Sequence, residues 1–278
     1  MSVNEPSGGI LLLVDDSPST RLAIEDAVML AQRLRAPLRA VFVEERDLLR
    51  SAGFPFAHEI GAATGSVRPV SSASVEARLR ERAAALRASL ERVSAQHSIA
   101  STFITVRGSI PDAAREHIAG ADWLVMGRVG WSGDRGHRLG HAARVLAAAP
   151  PCRAFFSARA VHRSAGASGI AVIARPGDDP SALARATASL LQTPEESVLI
   201  LLPPDAVPFD MRHATVREAM RTAGVSDARI RAVPLSVGEP SRTLQFADAR
   251  IVVMQVNAQP ENASALLAGI EVPVVLLP

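Results

Sequence analysis

The 278-residue sequence contains no lysine and no tyrosine, and only one cysteine, Cys152. Without lysine there is no Walker A phosphate loop, no lysine Schiff base and no ammonium group to set against a phosphate. All 30 basic residues are arginines. A single cysteine excludes an internal disulfide and any multi-cysteine metal site, and the apolar neighbours of Cys152 predict a small buried hydrophobe. The lack of lysine and tyrosine also accounts for the high isoelectric point, near 9.7. With almost nothing titrating between histidine and arginine, a net charge of only +2 moves that value far upward. No clustered basic face accompanies it, so nucleic acid is not an expected partner. No apolar run approaches the ~20 residues that span a bilayer, and "MSVNEPSGG" lacks the basic start of a signal peptide. The expectation is a soluble, cytoplasmic protein with no membrane partner.

At 48% apolar residues the chain can fill two cores. The run Ile10 to Val14 predicts a strand buried on both faces. Ser17 then caps a helix with Pro18 in its first position and Leu22, Ile24, Ala27, Val28, Ala31 and Leu34 on its apolar face. Further strands are expected at Leu38 to Val43, Ser101 to Val106, Trp123 to Met126 and Cys152 to Phe156. Arg46 to Ser72 reads mostly as loop. Leu79, Ala83, Leu86, Leu90 and Val93 recur at helical spacing, Pro111 opens a short helix, and Ala142 to Ala148 is helical. Such alternation indicates a parallel α/β sheet with right-handed crossovers, whose ligands sit beyond the carboxyl ends of the strands.

The pattern then restarts. "GIAVIARPGDDPSALARA" from Gly169 echoes "GILLLVDDSPSTRLAIEDA" from Gly9, and "ARIVVM" echoes "ADWLVM". The expected organisation is one domain over 1–157, a linker of small residues over 158–168, and a second, altered domain over 169–278. Strands of the second copy are predicted at Ile170 to Ala174, Val198 to Leu202, Ile230 to Val233, Ile251 to Met254 and Val272 to Leu277.

The opening "LLLVDDSPSTR" resembles the first strand of a response-regulator receiver, where paired acids hold a cation beside a phosphorylated aspartate. That chemistry also needs an aspartate at the end of the third strand and a lysine after the fifth. The third strand ends in "FITVRGSIP", and lysine is absent. A pyrophosphatase-type loop is excluded too, because Ser7, Gly8 and Gly9 precede the first strand instead of following it.

The segment "VMGRVGWSGDRGHRLGHAARVL" carries more. Gly127 and Gly130 stand just past a strand, and Gly140 opens a helix. Glycines let a backbone approach an anion closely, and the free N–H groups of a helix start favour negative charge, so such a loop can hold phosphates without lysine. Over residues 9 to 156 the sequence resembles the universal stress protein family: an aspartate ends the first strand, and "VRGSIPDAAREHIAGADWLVMGRVG" carries the family's features in order. The resemblance implies a doubly wound, adenine nucleotide alpha hydrolase-like fold in each domain. It implies ATP as ligand, with magnesium only in company with the nucleotide. By position, Asp15 would meet the nucleoside, Val43 the adenine through its main chain, and Met126, Gly127, Gly130, Gly140 and Ala142 the ribose and phosphates. The family has Ser or Thr after the last glycine; this chain has His141, which can donate as an imidazole or plug the pocket. Arg128, Arg135 and Arg138 are expected to raise phosphate affinity, whereas Asp16 adds negative charge.

In the second copy Arg175 takes the place of Asp15, and Gln255 and Ala258 replace glycines, so a structural role is expected, as the partner in an intramolecular pseudo-dimer. A further homodimer is compatible with the resemblance. His58 with Glu59 reads as a solvated loop pair, Glu44 and Glu45 as neighbours that point apart in extended chain, and His117 as facing solvent or a neighbouring loop; Trp123 reads as core, Trp131 as a cover for a ligand or partner, and the Arg-rich helix as a charged solvated face. No nucleophile, base and orienting group can be assembled, so the chain is expected not to be an enzyme beyond slow ATP hydrolysis. The implied role is nucleotide-responsive regulation in a stress response. Alternatives are a nucleotide-free interaction scaffold and an adenylyl- or phosphoryl-transferring relative.

Overall fold

The computed structural model describes residues 8–15, 17, 19–60, 65–128, 139–158, 169–193, 195–203, 208–235, 249–256 and 260–278. In chain order the first half contains β1 (Gly9–Val14), α1 (Thr20–Leu34), β2 (Leu38–Glu45), α2 (Arg46–Ala52), β3 (His58–Ile60), β4 (Val67–Pro69), α3 (Ser72–Gln96), β5 (Ser101–Gly108), α4 (Ile110–His117), β6 (Ala121–Met126), α5 (His141–Ala148) and β7 (Arg153–Phe156). The second contains β8 (Gly169–Ile173), α6 (Pro180–Leu190), β9 (Ser197–Leu202), α7 (Phe209–Thr222), β10 (Ile230–Pro234), β11 (Ala249–Gln255), α8 (Pro260–Gly269) and β12 (Val274–Leu277).

Ten strands form one sheet in the order β10-β9-β8-β11-β12-β7-β6-β1-β2-β5. Taken from its own first strand, each half has the same doubly wound order. All pairs described within the halves of this sheet are parallel, and the seam is antiparallel, with Val274 opposite Phe156, Val275 opposite Phe155 and Leu276 opposite Ala154.

Strand β1 shows why continuous apolar runs are needed. Successive side chains point to opposite faces, and both faces are covered. Ile10, Leu12 and Val14 join one core with α1, α3, α6 and α7, while Leu11 and Leu13 join another with α4, α5 and α8. Each core runs across both halves. Burying one such side chain contributes roughly 1.5–3 kcal/mol.

Two expectations need correction. The stretch from Arg46 to Ser72 contains α2 and the β3–β4 hairpin. Helix α1 begins at Thr20, and Ser17 is not its cap. Instead the Asp15 carboxylate organises the turn: Oδ1 accepts from the Ser17 amide at 3.0 Å and from Thr20 Oγ1 at 3.1 Å, and Thr20 Oγ1 also lies 2.8 Å from the Asp15 carbonyl. An aspartate bonding backbone two residues on is a common way to turn a chain. Pro18 lies outside the described residues. Helix α4 is capped as its sequence suggests, with Ser109 Oγ accepting from the Asp112 amide and Pro111 in the first turn.

Candidate functional site

The winding of the first half reverses between β1 and β6, which opens a crevice beyond the carboxyl ends of these strands. A cavity of about 620 Å³ occupies this place. Asp15, Val43, Met126, Gly127, Gly140, His141 and Ala142 all line it. Gly130 lies outside the described residues, as do Asp16, Trp131, Arg135 and Arg138.

Each wall has a local cause. Asp15 ends β1, and the turn it organises carries Ser17 and Ser19, whose hydroxyls are 3.0 Å apart, against Gly127. Val43 is the last fully apolar residue of β2 before the acidic pair Glu44 and Glu45. Helix α5 begins at His141 with Gly140 as its cap residue, which has no side chain to satisfy the first amides. Those N–H groups and the positive end of the helix dipole face the crevice and suit an anion. The neck of the β6–α5 loop is closed by the Gly140 amide donating to the Arg128 carbonyl at 2.7 Å. His141 is exposed and does not plug the cavity.

Helix α2 adds a wall that the sequence did not suggest, contributing Arg46, Asp47 and Arg50. The acidic pair divides, because adjacent residues in extended chain point apart. Glu44 pairs with Arg107 at 3.2 Å. Glu45 stands at the crevice rim, exposed as a whole residue; desolvation of its carboxyl, then the charges of Asp15 and Asp47, hold its pKa above the ordinary range, against a smaller opposing effect from His141. A carboxyl raised in this way binds its proton more readily in the folded protein, so its contribution to stability falls as pH rises through the folded pKa. A polyanion in the crevice would raise it further. Binding of a polyanion there would therefore take up protons and tighten, by a few-fold, as pH falls through the Glu45 titration. Calorimetry in buffers of different ionisation heat measures this uptake, which Glu45→Gln should abolish.

Arg128 is a correction. It borders the cavity, but its side chain is fully buried and its guanidinium is already engaged by main-chain carbonyls. It is no phosphate ligand.

At the corresponding end of the second half, the described side chains are engaged with one another and with main-chain carbonyls. Arg175 Nη2 donates to the Gln255 carbonyl, and the Arg175 amide donates to Asp178 Oδ2 at 2.7 Å. Arg212 donates to the Ala174 carbonyl at 2.9 Å and to the Pro203 carbonyl at 2.6 Å. Gln255 braces the arrangement from both ends, accepting from the Asp179 amide and donating to the Pro278 carbonyl. Burial pushes the Asp178 carboxyl up.

Other singled-out residues have ordinary surroundings. His58 is exposed, with Nδ1 2.8 Å from the Phe56 carbonyl, and Glu59 pairs with Arg78. The His117 carbonyl accepts from Arg39. Trp123 is core, with the Arg153 guanidinium over its ring. Burial pushes the Cys152 thiol up to about 12, so it is protonated at neutral pH. Among the described residues no group of three or more His, Cys, Asp or Glu could hold a metal ion, and no helix is long and apolar enough to cross a membrane.

Comparison with known proteins agrees with this fold. A universal stress protein from Archaeoglobus fulgidus DSM 4304 superposes with a TM-score of 0.69 at 12% identity, over 97% of this chain and 96% of that one. A Pseudomonas aeruginosa PAO1 protein of unknown function superposes at 0.58 with 16% identity, over 100% and 94%. At these identities the likeness is one of fold. No curated protein matches the chain. The sequence model of one family, described as the universal stress protein family, matches residues 8–154, and the chain belongs to that family.

Proposed function

We propose that the first half is an adenine-nucleotide-binding regulatory module, with ATP as its ligand, and that the second half does not bind nucleotide. The observation that carries this reading is the open cavity at the β1/β6 reversal, with the carboxylate of Asp15 at one side and the uncapped start of α5 at the other. Asp15 Oδ1 is engaged within its turn. Oδ2 carries no such bond among the described residues and suits a ribose hydroxyl, while the main chain of Val43 suits an adenine edge. The first amides of α5 suit a phosphate. Magnesium would arrive with the nucleotide. Arg175 and Arg212, tied to strand-end carbonyls at the corresponding strand ends of the second half, favour nucleotide in the first half alone.

Among the described residues lining the crevice, Ser109 Oγ donates to Asp112 Oδ2 at 2.6 Å; this hydroxyl serves the cap of α4, where it also accepts from the Asp112 amide, which favours a binding role over catalysis. Occupancy would then act by ordering the crevice walls and altering a surface seen by a partner, in the cytoplasm and under stress.

Calorimetric titration with ATP is expected to saturate at one nucleotide per chain, and thermal unfolding to shift upward with ligand concentration. Absence of both heat and shift would remove the nucleotide reading and leave an interaction scaffold. His141→Ser supplies a hydroxyl to the start of α5. A hydrogen bond to a charged oxygen contributes roughly 1.5–3 kcal/mol, so this variant should bind ATP about tenfold or more tightly. Unchanged affinity would show that position 141 does not face the phosphates.

A further inference from the structure

Arg128 follows Gly127 directly, at the place where an arginine would be expected to reach for an anion. Its guanidinium instead enters the second half. Nη1 donates to the carbonyl of Leu267 at 3.1 Å and to that of Ile270; Nη2 donates to the carbonyl of Val272 and lies 3.5 Å from that of Phe156. Leu267 lies in the last turn of α8, where carbonyls have no intrahelical donor. A cation there also meets the negative end of the helix dipole. Ile270 and Val272 belong to the turn that leads into β12, and Phe156 is the β7 residue opposite Val274 at the seam.

The main chain of the same residue does something different. The Arg128 carbonyl accepts from the Gly140 amide, which closes the neck of the β6–α5 loop directly before the first amides of α5. Helices α5 and α8 also pack against each other on this face. One residue therefore ties the mouth of the first half's crevice, through its backbone, to the end of a second-half helix, through its side chain.

We propose that Arg128 is a positioning residue through which the second half holds the mouth of the first half's crevice, so that occupancy of the crevice and packing of the α8–β12 turn are thermodynamically linked. The identity of the ligand rests on the nucleotide reading above; the linkage does not. Since coupling between two sites is reciprocal, a ligand that orders the loop neck must also stabilise the α8–β12 turn, and loosening that turn must weaken the ligand. The second half is then more than a filler of the sheet. It is a built-in support for a site that it does not itself contain.

Amide hydrogen exchange on the full chain, with and without ATP, tests this in the wild type and in Arg128→Met and Arg128→Lys. Methionine fills similar volume without donors. Lysine keeps the charge but loses the planar fork that serves several carbonyls at once. In the wild type, ATP is expected to slow exchange both at 139–146 and, across the seam, at 266–274. In Arg128→Met the distant response should vanish and ATP affinity should fall by about five- to a hundredfold, the range of ordinary coupling energies. Arg128→Lys should lie between, and it carries the test if the methionine variant does not fold. A variant that exchanges faster at 266–274 but keeps wild-type ATP affinity and wild-type exchange at 139–146 would reduce Arg128 to a local staple and overturn the proposal. If the wild type binds no ATP, the nucleotide reading fails separately. The linkage is then read from the ligand-free proteins: substitution must speed exchange in both segments, and a change confined to the second half overturns it.

Discussion

Gly127→Ala is expected to destabilise the protein and close its crevice together, although it adds only one carbon. A Cβ at this position would lie 2.2 Å from Ser19 Oγ and 2.9 Å from Ser19 Cβ, and Ser19 is buried. The serine cannot simply swing out, because its hydroxyl sits 3.0 Å from that of Ser17 in the turn that Asp15 organises. Overpacking of this kind costs about 1–3 kcal/mol, which for a chain of this size lowers the melting temperature by roughly 2–4 °C per kcal/mol. The strain falls on two walls of the crevice at once, so ATP binding should be lost as well. Adding Ser19→Gly removes both clashing atoms and leaves the Ser19 carbonyl carbon at an ordinary 3.5 Å. The double variant should recover most of the stability and a measurable ATP affinity. A double variant no better than the single one would mean that Gly127 is required for another reason.

A comparable loss is expected from Glu196→Ala, on the opposite face of the seam. Glu196 is buried and receives Arg250 through both Nε and Nη2, as well as the Gln192 amide at 2.6 Å. Arg33, from the first half, reaches the Ser189 carbonyl at 2.6 Å; burial lowers its pKa, Arg250 lowers it further, and Glu196 opposes them. Removing the carboxylate leaves the partly buried Arg250 guanidinium without its ion-pair partner and removes a charge that favours the cation of Arg33. Breaking a buried pair by deleting one partner typically costs about 3–5 kcal/mol, mostly through the charge left behind. Arg33→Met introduced into Glu196→Ala should return part of that stability in urea unfolding. Purely additive effects would show that Arg33 and Glu196 do not interact.

How much of this was legible beforehand follows from where the physical information resides. The core strands were visible because a strand buried on both faces requires an unbroken apolar run, as in Ile10 to Val14. Helix α3 was visible because Leu79, Leu86 and Leu90 recur with the helical period and point inward. Between Arg46 and Ser72 that signal fails. Helix α2 has only seven residues, so its buried Leu49 and Ala52 are too few to show a period, and β3 and β4 are exposed along their whole length. The crevice residues came from the family resemblance, which sets them at strand ends and glycines, and the parallel topology brings those that are described to one cavity. Arg128 could not be read in this way. Its partners in the second half stand about 140 residues further along the chain, at carbonyls whose availability depends on where α8 stops. Glu45 could not be read in this way either: the strand's alternation separates it from Glu44, but its place at the crevice rim depends on where α2 and the Asp15 turn stand.

The antiparallel register of Phe156 with Val274 has a kinetic side. The two strands that meet there are separated by roughly 120 residues, and contacts so far apart in sequence form late and slowly. During synthesis the first half can complete its own parallel pairings while β7 still presents open hydrogen-bonding groups and the apolar Phe155 and Phe156. That interval is when another nascent copy could add its own β7 to the waiting edge. Slowing translation ahead of β12 should therefore increase misassembled, strand-swapped oligomers, whereas a pause before β8 should matter less for stability than for how long this edge stays unattended.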